Sequence, residues 1–291
     1  MTAIEGAAHS HIWRVRGRDI DVSARTLVMG ILNVTPDSFS DGGRFNSSDG
    51  ALQHGLQMLA DGADIIDIGG ESTRPGRAET ISVPEEQDRV IPVLEGLLNA
   101  QPEAMLSIDT YKGAVASAAL TAGASIINDV TALRRSPEIA NHVAEAGAGL
   151  ILMHMLGEPE TMQENPSYSN VLVDIRNFLR ERMQFAISRG VPESAIAVDP
   201  GIGFGKTVDH NVEILAGVEY LRLLQRPICI GASRKGFLGR LTGGLDVMER
   251  EDSTVAAHCA AVLQGASIIR THDVKRARRS IAIIDAIRAR Q

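Results

Sequence analysis

Aromatic side chains are scarce in this chain, at 3% of 291 residues, so an interior must be built from Ala, Val, Ile, Leu and Met. Cysteine is almost absent. Cys229 and Cys259 sit in apolar surroundings without metal-ligand spacing, which excludes a disulfide framework or a cysteine metal cluster and fits two reduced thiols in a cytoplasmic protein. No run approaches the roughly 20 apolar residues of a membrane span, and the N-terminal Met1-Thr2-Ala3-Ile4-Glu5 lacks a basic region and an apolar signal core. Positive charge is not in excess: the net charge is -7, which argues against nucleic-acid and membrane-surface partners. The one basic run, Lys275-Arg276-Ala277-Arg278-Arg279, reads as a solvated helix face.

What the chain does have is a recurring unit. Short aliphatic runs without polar alternation read as strands buried on both faces. They fall at Leu27–Leu32, Ile65–Ile68, Met105–Ile108, Ser125–Ile127, Gly149–Met153, Ala195–Val198, Pro227–Ile230 and Ser267–Ile269. Segments of helical period lie between them, including 49–61, 84–100, 171–189, 211–224, 253–264 and 274–290. Several helices end in Gly-Ala just before a strand, as at Gly62-Ala63, Gly123-Ala124, Gly147-Ala148 and Gly265-Ala266.

Eight strand–helix units in this length fit an α/β fold of the (β/α)8 TIM-barrel type, which typically needs ~250 residues. An open doubly wound sheet would carry a Gly-rich loop after its first strand. Here that strand leads instead into Asn33-Val34-Thr35-Pro36. Residues 11–20 alternate and carry a turn signal at Gly17-Arg18, so a short N-terminal β-hairpin is expected to cover the lower end of the barrel. No linker divides the chain, and residues 1–291 are expected to form one domain, with 1–26 as extension and hairpin.

In such a barrel the residues after each strand converge on one face. Strands 3, 4 and 6 deliver the acceptors Asp109, Asn128 and Asp199. Inward carboxylates without cations beside them call for a ligand with paired N–H donors, as in a cyclic guanidine or amidine. Met153 and Phe204 can wall a flat ring. Strands 7 and 8 deliver Ser233, Arg234, Lys235, Arg270 and His272, at the usual phosphate corner of the fold. A planar, donor-bearing heterocycle at the centre and a phosphate at the rim are the expected ligand. Taken singly, Asp109 and Asn128 or Asp129 read equally as helix caps, His154 and Met155 as packing, and Arg234 as an ion-pair partner.

Two lookalikes fail. Pro200-Gly201-Ile202-Gly203-Phe204-Gly205-Lys206-Thr207 lacks the first glycine of a P-loop, and neither His-Glu-x-x-His nor Gly-x-Ser-x-Gly occurs.

Long stretches then resemble one family. They are 29–43 (Met29-Gly30-Ile31-Leu32-Asn33-Val34-Thr35-Pro36-Asp37 onward), 67–76 (Asp67-Ile68-Gly69-Gly70-Glu71-Ser72-Thr73-Arg74-Pro75-Gly76), 107–110, 127–130, 199–206, 233–235 and 270–274. In this order they resemble the dihydropteroate synthases of folate biosynthesis. The resemblance implies a transferase that condenses 6-hydroxymethyl-7,8-dihydropterin pyrophosphate with 4-aminobenzoate, assisted by Mg2+, in a homodimer inhibited by sulfonamides. It implies catalytic roles for Asp109, Lys235, Arg270 and His272. It implies substrate contacts from Thr73, Arg74, Pro75, Asp109, Asn128, Met153, Asp199, Phe204, Lys235, Arg270 and His272, and a magnesium contact from Asn33. Arg270 and His272 are expected on the pyrophosphate, so Arg270→Ala should weaken the pyrophosphate-bearing substrate far more than free pterin. Gly236 departs from many relatives, which carry a side chain there, and Thr271 replaces a commoner valine. A pterin-dependent methyltransferase on a similar barrel is the alternative enzyme, and it would leave Arg270, His272 and Asn33 idle. A non-enzymatic pterin sensor is the third reading, but drift of that kind should erode the loops first.

Overall fold

A computed structural model describes residues 12–35, 47–71, 80–158 and 161–290. Two short strands, β1 (Ile12–Val15) and β2 (Arg18–Asp21), form an antiparallel hairpin. Its turn lies at Arg16-Gly17, one residue earlier than expected. Both residues have positive φ, 47° and 74°, as the two-residue turn that suits strand twist requires.

The expected barrel follows. Its strands are β3 (Leu27–Asn33), β4 (Ile65–Gly69), β5 (Met105–Asp109), β6 (Ile126–Asp129), β7 (Gly149–Met153), β8 (Ile196–Asp199), β9 (Cys229–Ile230) and β10 (Ile268–Thr271). They pair in parallel in the order β8-β7-β6-β5-β4-β3-β10-β9. A parallel bridge from Val198 to Ile228 closes the ring.

The helices are α1 (Ser47–Ala60), α2 (Val83–Ala100), α3 (Gly113–Ala122), α4 (Ile139–Ala146), α5 (Val171–Ser188), α6 (Val208–Ala216), α7 (Val218–Leu221), α8 (Gly236–Leu241), α9 (Glu251–Leu263) and α10 (Val274–Arg288). The helix expected over 211–224 is broken. It divides at Gly217 into α6 and α7 and ends in a 3-10 turn over Arg222–Leu224. The short α8 carries too few residues for a period to show. Caps follow the sequence: Asn170 accepts from the Val173 N–H at 3.0 Å, and Thr207 and His210 form a reciprocal capping box. Gly62, Gly123, Gly147 and Gly265 all have positive φ, which lets the chain leave a helix and re-enter the sheet.

Strand alternation produces two interiors. Val28, Leu32, Ile66, Ile68, Leu106, Ile108, Leu150 and Val198 face outward against the helices. Leu27, Met29, Ile65, Ile126, Ile151, Ala197, Cys229 and Ile268 fill the barrel itself, together with Trp13 and Val15 of the hairpin. Trp13 is fully buried, and its indole N–H donates to the Ala195 carbonyl at 2.9 Å. The hairpin therefore plugs the amino end of the barrel. Removing an aromatic of this kind costs about 3–5 kcal/mol. Among the described residues, the filled amino end leaves the carboxyl end of the barrel to receive a ligand.

Candidate active site

Above the apolar floor, the inward positions turn polar. Each strand runs about one residue further than its apolar stretch, because the ladder hydrogen bonds continue regardless of side-chain polarity. Register pairs Asn33 with Gly69, Gly69 with Asp109, Asp109 with Asn128, and Met153 with Asp199. Asn33, Gly69, Asp109 and Asn128 thus form one row across β3 to β6, and Met153 and Asp199 a second, two residues further along β7 and β8, at the same end of the barrel.

Arg270 reaches into this group from β10. Its Nε donates to Asp67 Oδ2 at 2.6 Å and its Nη2 to Asp109 Oδ2 at 2.8 Å. Asn128 Nδ2 donates to the same Asp67 oxygen at 3.0 Å. Side chains from four strands are thus joined through the Arg270 guanidinium and the Asp67 carboxylate. Burial drives the Asp109 carboxyl up from its ordinary value, and Arg270 pulls it back only in part. Burial alone would weaken the Arg270 charge, but Asp67 and Asp109 outweigh it and hold the guanidinium firmly protonated.

Asp199 stands alongside. Its Oδ1 accepts the Gly201 N–H at 2.6 Å. Burial raises this carboxyl too, opposed by the Gly201 N–H and by Lys235, Arg270 and Lys206. Lys235 opens α8, and its Nζ lies 4.0 Å from the centroid of the Phe204 ring. Phe204 packs on a cluster of Tyr111, Val130, Met153, Met155 and Met162. Ser233 Oγ lies 2.9 Å from His272 Nδ1 and accepts the His272 backbone N–H at 3.2 Å. A Cβ built at Gly69 would lie 3.9 Å from Asn33 Oδ1 and 3.7 Å from Asp109 Cβ, so glycine there leaves room between the two side chains.

Asn33, Asp109, Asn128, Met153, Asp199, Phe204, Lys235, Arg270 and His272 all come to this one end of the barrel. Thr73, Arg74 and Pro75 lie outside the described residues, as do the loop residues from Pro36 to Phe45. The expected separation of central acceptors from rim cations does not hold at Arg270, which is interleaved with the carboxylates. Its side chain is inward because β10 has the same alternation as its neighbours.

Reading only the residues after each strand missed three groups. Asp67 is fully buried within β4, and its second oxygen has no hydrogen-bond partner. A charged residue inside Ile65-Ile66-Asp67-Ile68 was the available signal. Ser107, its register neighbour on β5, is likewise buried with an unpartnered hydroxyl. Lys206 is buried behind Phe204. Several single-residue readings resolve toward structure. Asp129 accepts from the Thr131 and Leu133 N–H groups, and Arg234 pairs with Glu251. Cys229 is buried and Cys259 partly exposed, both unbridged.

Residues 29–272, the stretch from β3 to the end of β10, match the pterin binding enzyme family. A dihydropteroate synthase of Bacillus subtilis is 45% identical over 263 residues, covering 90% of this chain and 89% of that one. The chain is a member of the dihydropteroate synthase family. A mitochondrial folate synthesis bifunctional protein of Arabidopsis thaliana is 43% identical over 284 residues, and the chain spans 51% of its length. A crystal structure of the Yersinia pestis dihydropteroate synthase with a sulfonamide drug complex superposes with a TM-score of 0.88 at 43% identity, covering 96% of this chain and 99% of that one.

Proposed function

We propose that this protein is a transferase that condenses 6-hydroxymethyl-7,8-dihydropterin pyrophosphate with 4-aminobenzoate to give 7,8-dihydropteroate and pyrophosphate. The observation that carries this reading is the buried network of Asp67, Asp109, Asn128 and Arg270, with Asp199 and Lys235 beside it. It presents paired acceptors and an amide to the N–H edge of a pterin, in a chain 45% identical to a dihydropteroate synthase.

Asp109, Asn128 and Asp199 hold the pterin edge, Lys235 meets its ring, and Met153 and Phe204 line the pocket. The bond between the exocyclic methylene carbon and the pyrophosphate oxygen breaks, and both electrons leave with oxygen. The electron-rich dihydropterin delocalises the positive charge left on carbon, and the nearby carboxylates favour that cation. The aromatic amine forms the new C–N bond and releases one proton. Arg270 and His272 stabilise the departing anion, with the His272 ring set by Ser233. Thr73, Arg74 and Pro75 join Phe204 and Lys235 around the aminobenzoate, where a sulfonamide would compete.

Magnesium fits this corner as an ion carried by the substrate. Among the described residues no cluster of three or more His, Cys, Asp or Glu is arranged to hold a metal. Asn33 offers one neutral oxygen at the barrel mouth, and Mg2+ commonly takes one or two protein ligands with substrate phosphates and water. When bound, the ion would supply positive charge against the pyrophosphate. A cytoplasmic homodimer completes the reading, and light scattering on the purified protein tests the dimer. No helix among the described residues is long and apolar enough to cross a membrane.

Chromatography of a reaction containing both substrates and Mg2+ tests the activity. Formation of 7,8-dihydropteroate by wild type, and its loss in Asp109→Ala or Lys235→Ala, is expected. A folded wild type that forms none refutes the proposal.

A further inference from the structure

The loop that carries Phe204 has little stiffness of its own. Gly201, Gly203 and Gly205 all adopt positive φ, 69°, 81° and 65°. Much of its conformation is set by partners outside the loop. Tyr168 Oη donates to the Gly205 carbonyl at 2.8 Å, and the Gly203 N–H donates to Asn211 at 2.7 Å. Phe204 itself is held at both backbone groups: its N–H donates to the Gly201 carbonyl at 3.1 Å within the loop, and its carbonyl accepts from Lys206 Nζ at 2.9 Å from outside it. The same amine lies 3.0 Å from His154 Nδ1.

Lys206 is an expensive residue to place there. It is 3% exposed and makes no ion pair among the described residues, where its partners are a carbonyl and an imidazole. Burial lowers its pKa to about 7, with Asp199 opposing and Lys235 reinforcing that fall. His154 is kept neutral, which leaves Nδ1 able to accept. Burial, Lys206 and Arg134 all disfavour its protonation, while its ring packs edge-on against Phe178 at 4.8 Å. An apolar side chain would fill the same space at lower cost. What the amine provides is a fixed position for the Phe204 backbone, and the Phe204 ring in turn supports the ammonium of Lys235.

We propose that Lys206 is a positioning residue: by tying the Phe204 carbonyl to His154 it holds the Phe204 ring under Lys235, and so sets where Lys235 meets the pterin. This rests on the functional reading above for the identity of the ligand. Lys206 acts through Phe204 and Lys235 and need not touch substrate.

Lys206→Met keeps the length of the side chain and removes its donors. Calorimetric titration with 6-hydroxymethyl-7,8-dihydropterin, a probe that cannot turn over, reads the effect. K206M should bind about tenfold more weakly than wild type, the equivalent of about 1.4 kcal/mol. Its thermal stability should be equal or higher. The double variant K206M/K235M should bind no more weakly than K235M, because the lysine acts through its neighbour. Binding by K206M within about twofold of wild type would overturn the inference, as would losses that multiply in the double variant. Should K206M fail to fold, His154→Phe removes the second partner of the amine inside an aromatic niche. A weakening in the same direction is then expected, and unchanged affinity overturns the inference. A wild type that binds no probe overturns the functional reading and this inference with it. A wild type that binds and turns over, beside a K206M that matches it, overturns this inference alone.

Discussion

Arg270 Nε lies 2.6 Å from Asp67 Oδ2, a carboxylate with no solvent exposure, and the same guanidinium bonds Asp109. The cation of the last strand is therefore the counter-charge of the acceptors in the centre. Removing one partner of a buried pair costs about 3–5 kcal/mol, because the other is left uncompensated. Asp67→Ala should accordingly destabilise the protein by about that amount in urea unfolding, and initial rates of product formation should fall because Arg270 loses the partner that fixes it beside Asp109. Arg270→Ala should weaken free pterin as well as the pyrophosphate-bearing substrate, since it strips the charge partner from Asp109. That revises the selectivity expected from sequence, and titration with both ligands checks it.

A second expectation concerns the loop after β8. Gly201 has φ +69°, and a Cβ there would collide with the His154 carbonyl oxygen, while its N–H holds Asp199. Gly201→Ala should destabilise the protein by about 2 kcal/mol or more. Thermal unfolding would show it, with a parallel loss of pterin binding.

Lys112 bolts two elements together beneath the mouth. Its Nζ lies 2.6 Å from Glu71 Oε2, 2.6 Å from Glu86 Oε2 and 2.7 Å from the Ile81 carbonyl. Burial would lower its pKa, but the two glutamates outweigh that and raise it. Lys112→Met leaves two buried carboxylates facing one another and should cost about 3–5 kcal/mol in urea unfolding. Adding Glu71→Gln and Glu86→Gln should recover most of the loss.

His258 predicts an acid-sensitive component of stability. It is buried in α9 with neither ring nitrogen hydrogen-bonded, and burial lowers its pKa from 6.5 to about 4. The unfolded chain takes up the proton first as pH falls. Stability from this group is therefore complete above about pH 6.5 and is lost as pH falls toward 4. The total is about 3 kcal/mol, at about 1.4 kcal/mol per unit. His154, lowered to about 2, adds a slope of the same sign below 6.5. His258→Leu should remove its own share, seen as a smaller stability difference between pH 7 and pH 4.5 in urea titrations.

The barrel was legible because its strands are apolar on both faces and its helices end in Gly-Ala. The plug was legible from the alternation around Trp13. That Asp109, Asn128, Asp199, Lys235, Arg270 and His272 converge at one end was legible because the fold brings strand ends together. What escaped were residues whose partners are remote in sequence. Asp67 looks like an interruption until Arg270, 203 residues away, is seen beside it. Lys206 looks like the end of a failed P-loop until its contact with His154, 52 residues away, gives it a task. Gly217 sits where a helix divides and where a Cβ would lie 2.4 Å from the Leu172 side chain, a close approach that periodicity does not report.

The most direct test is the initial rate of pyrophosphate release by the wild-type protein, with each substrate omitted in turn. Release that matches 7,8-dihydropteroate formation mole for mole, and that a sulfonamide suppresses, is the predicted result. Folded protein that binds the pterin substrate yet liberates no pyrophosphate when 4-aminobenzoate and Mg2+ are supplied would contradict the account.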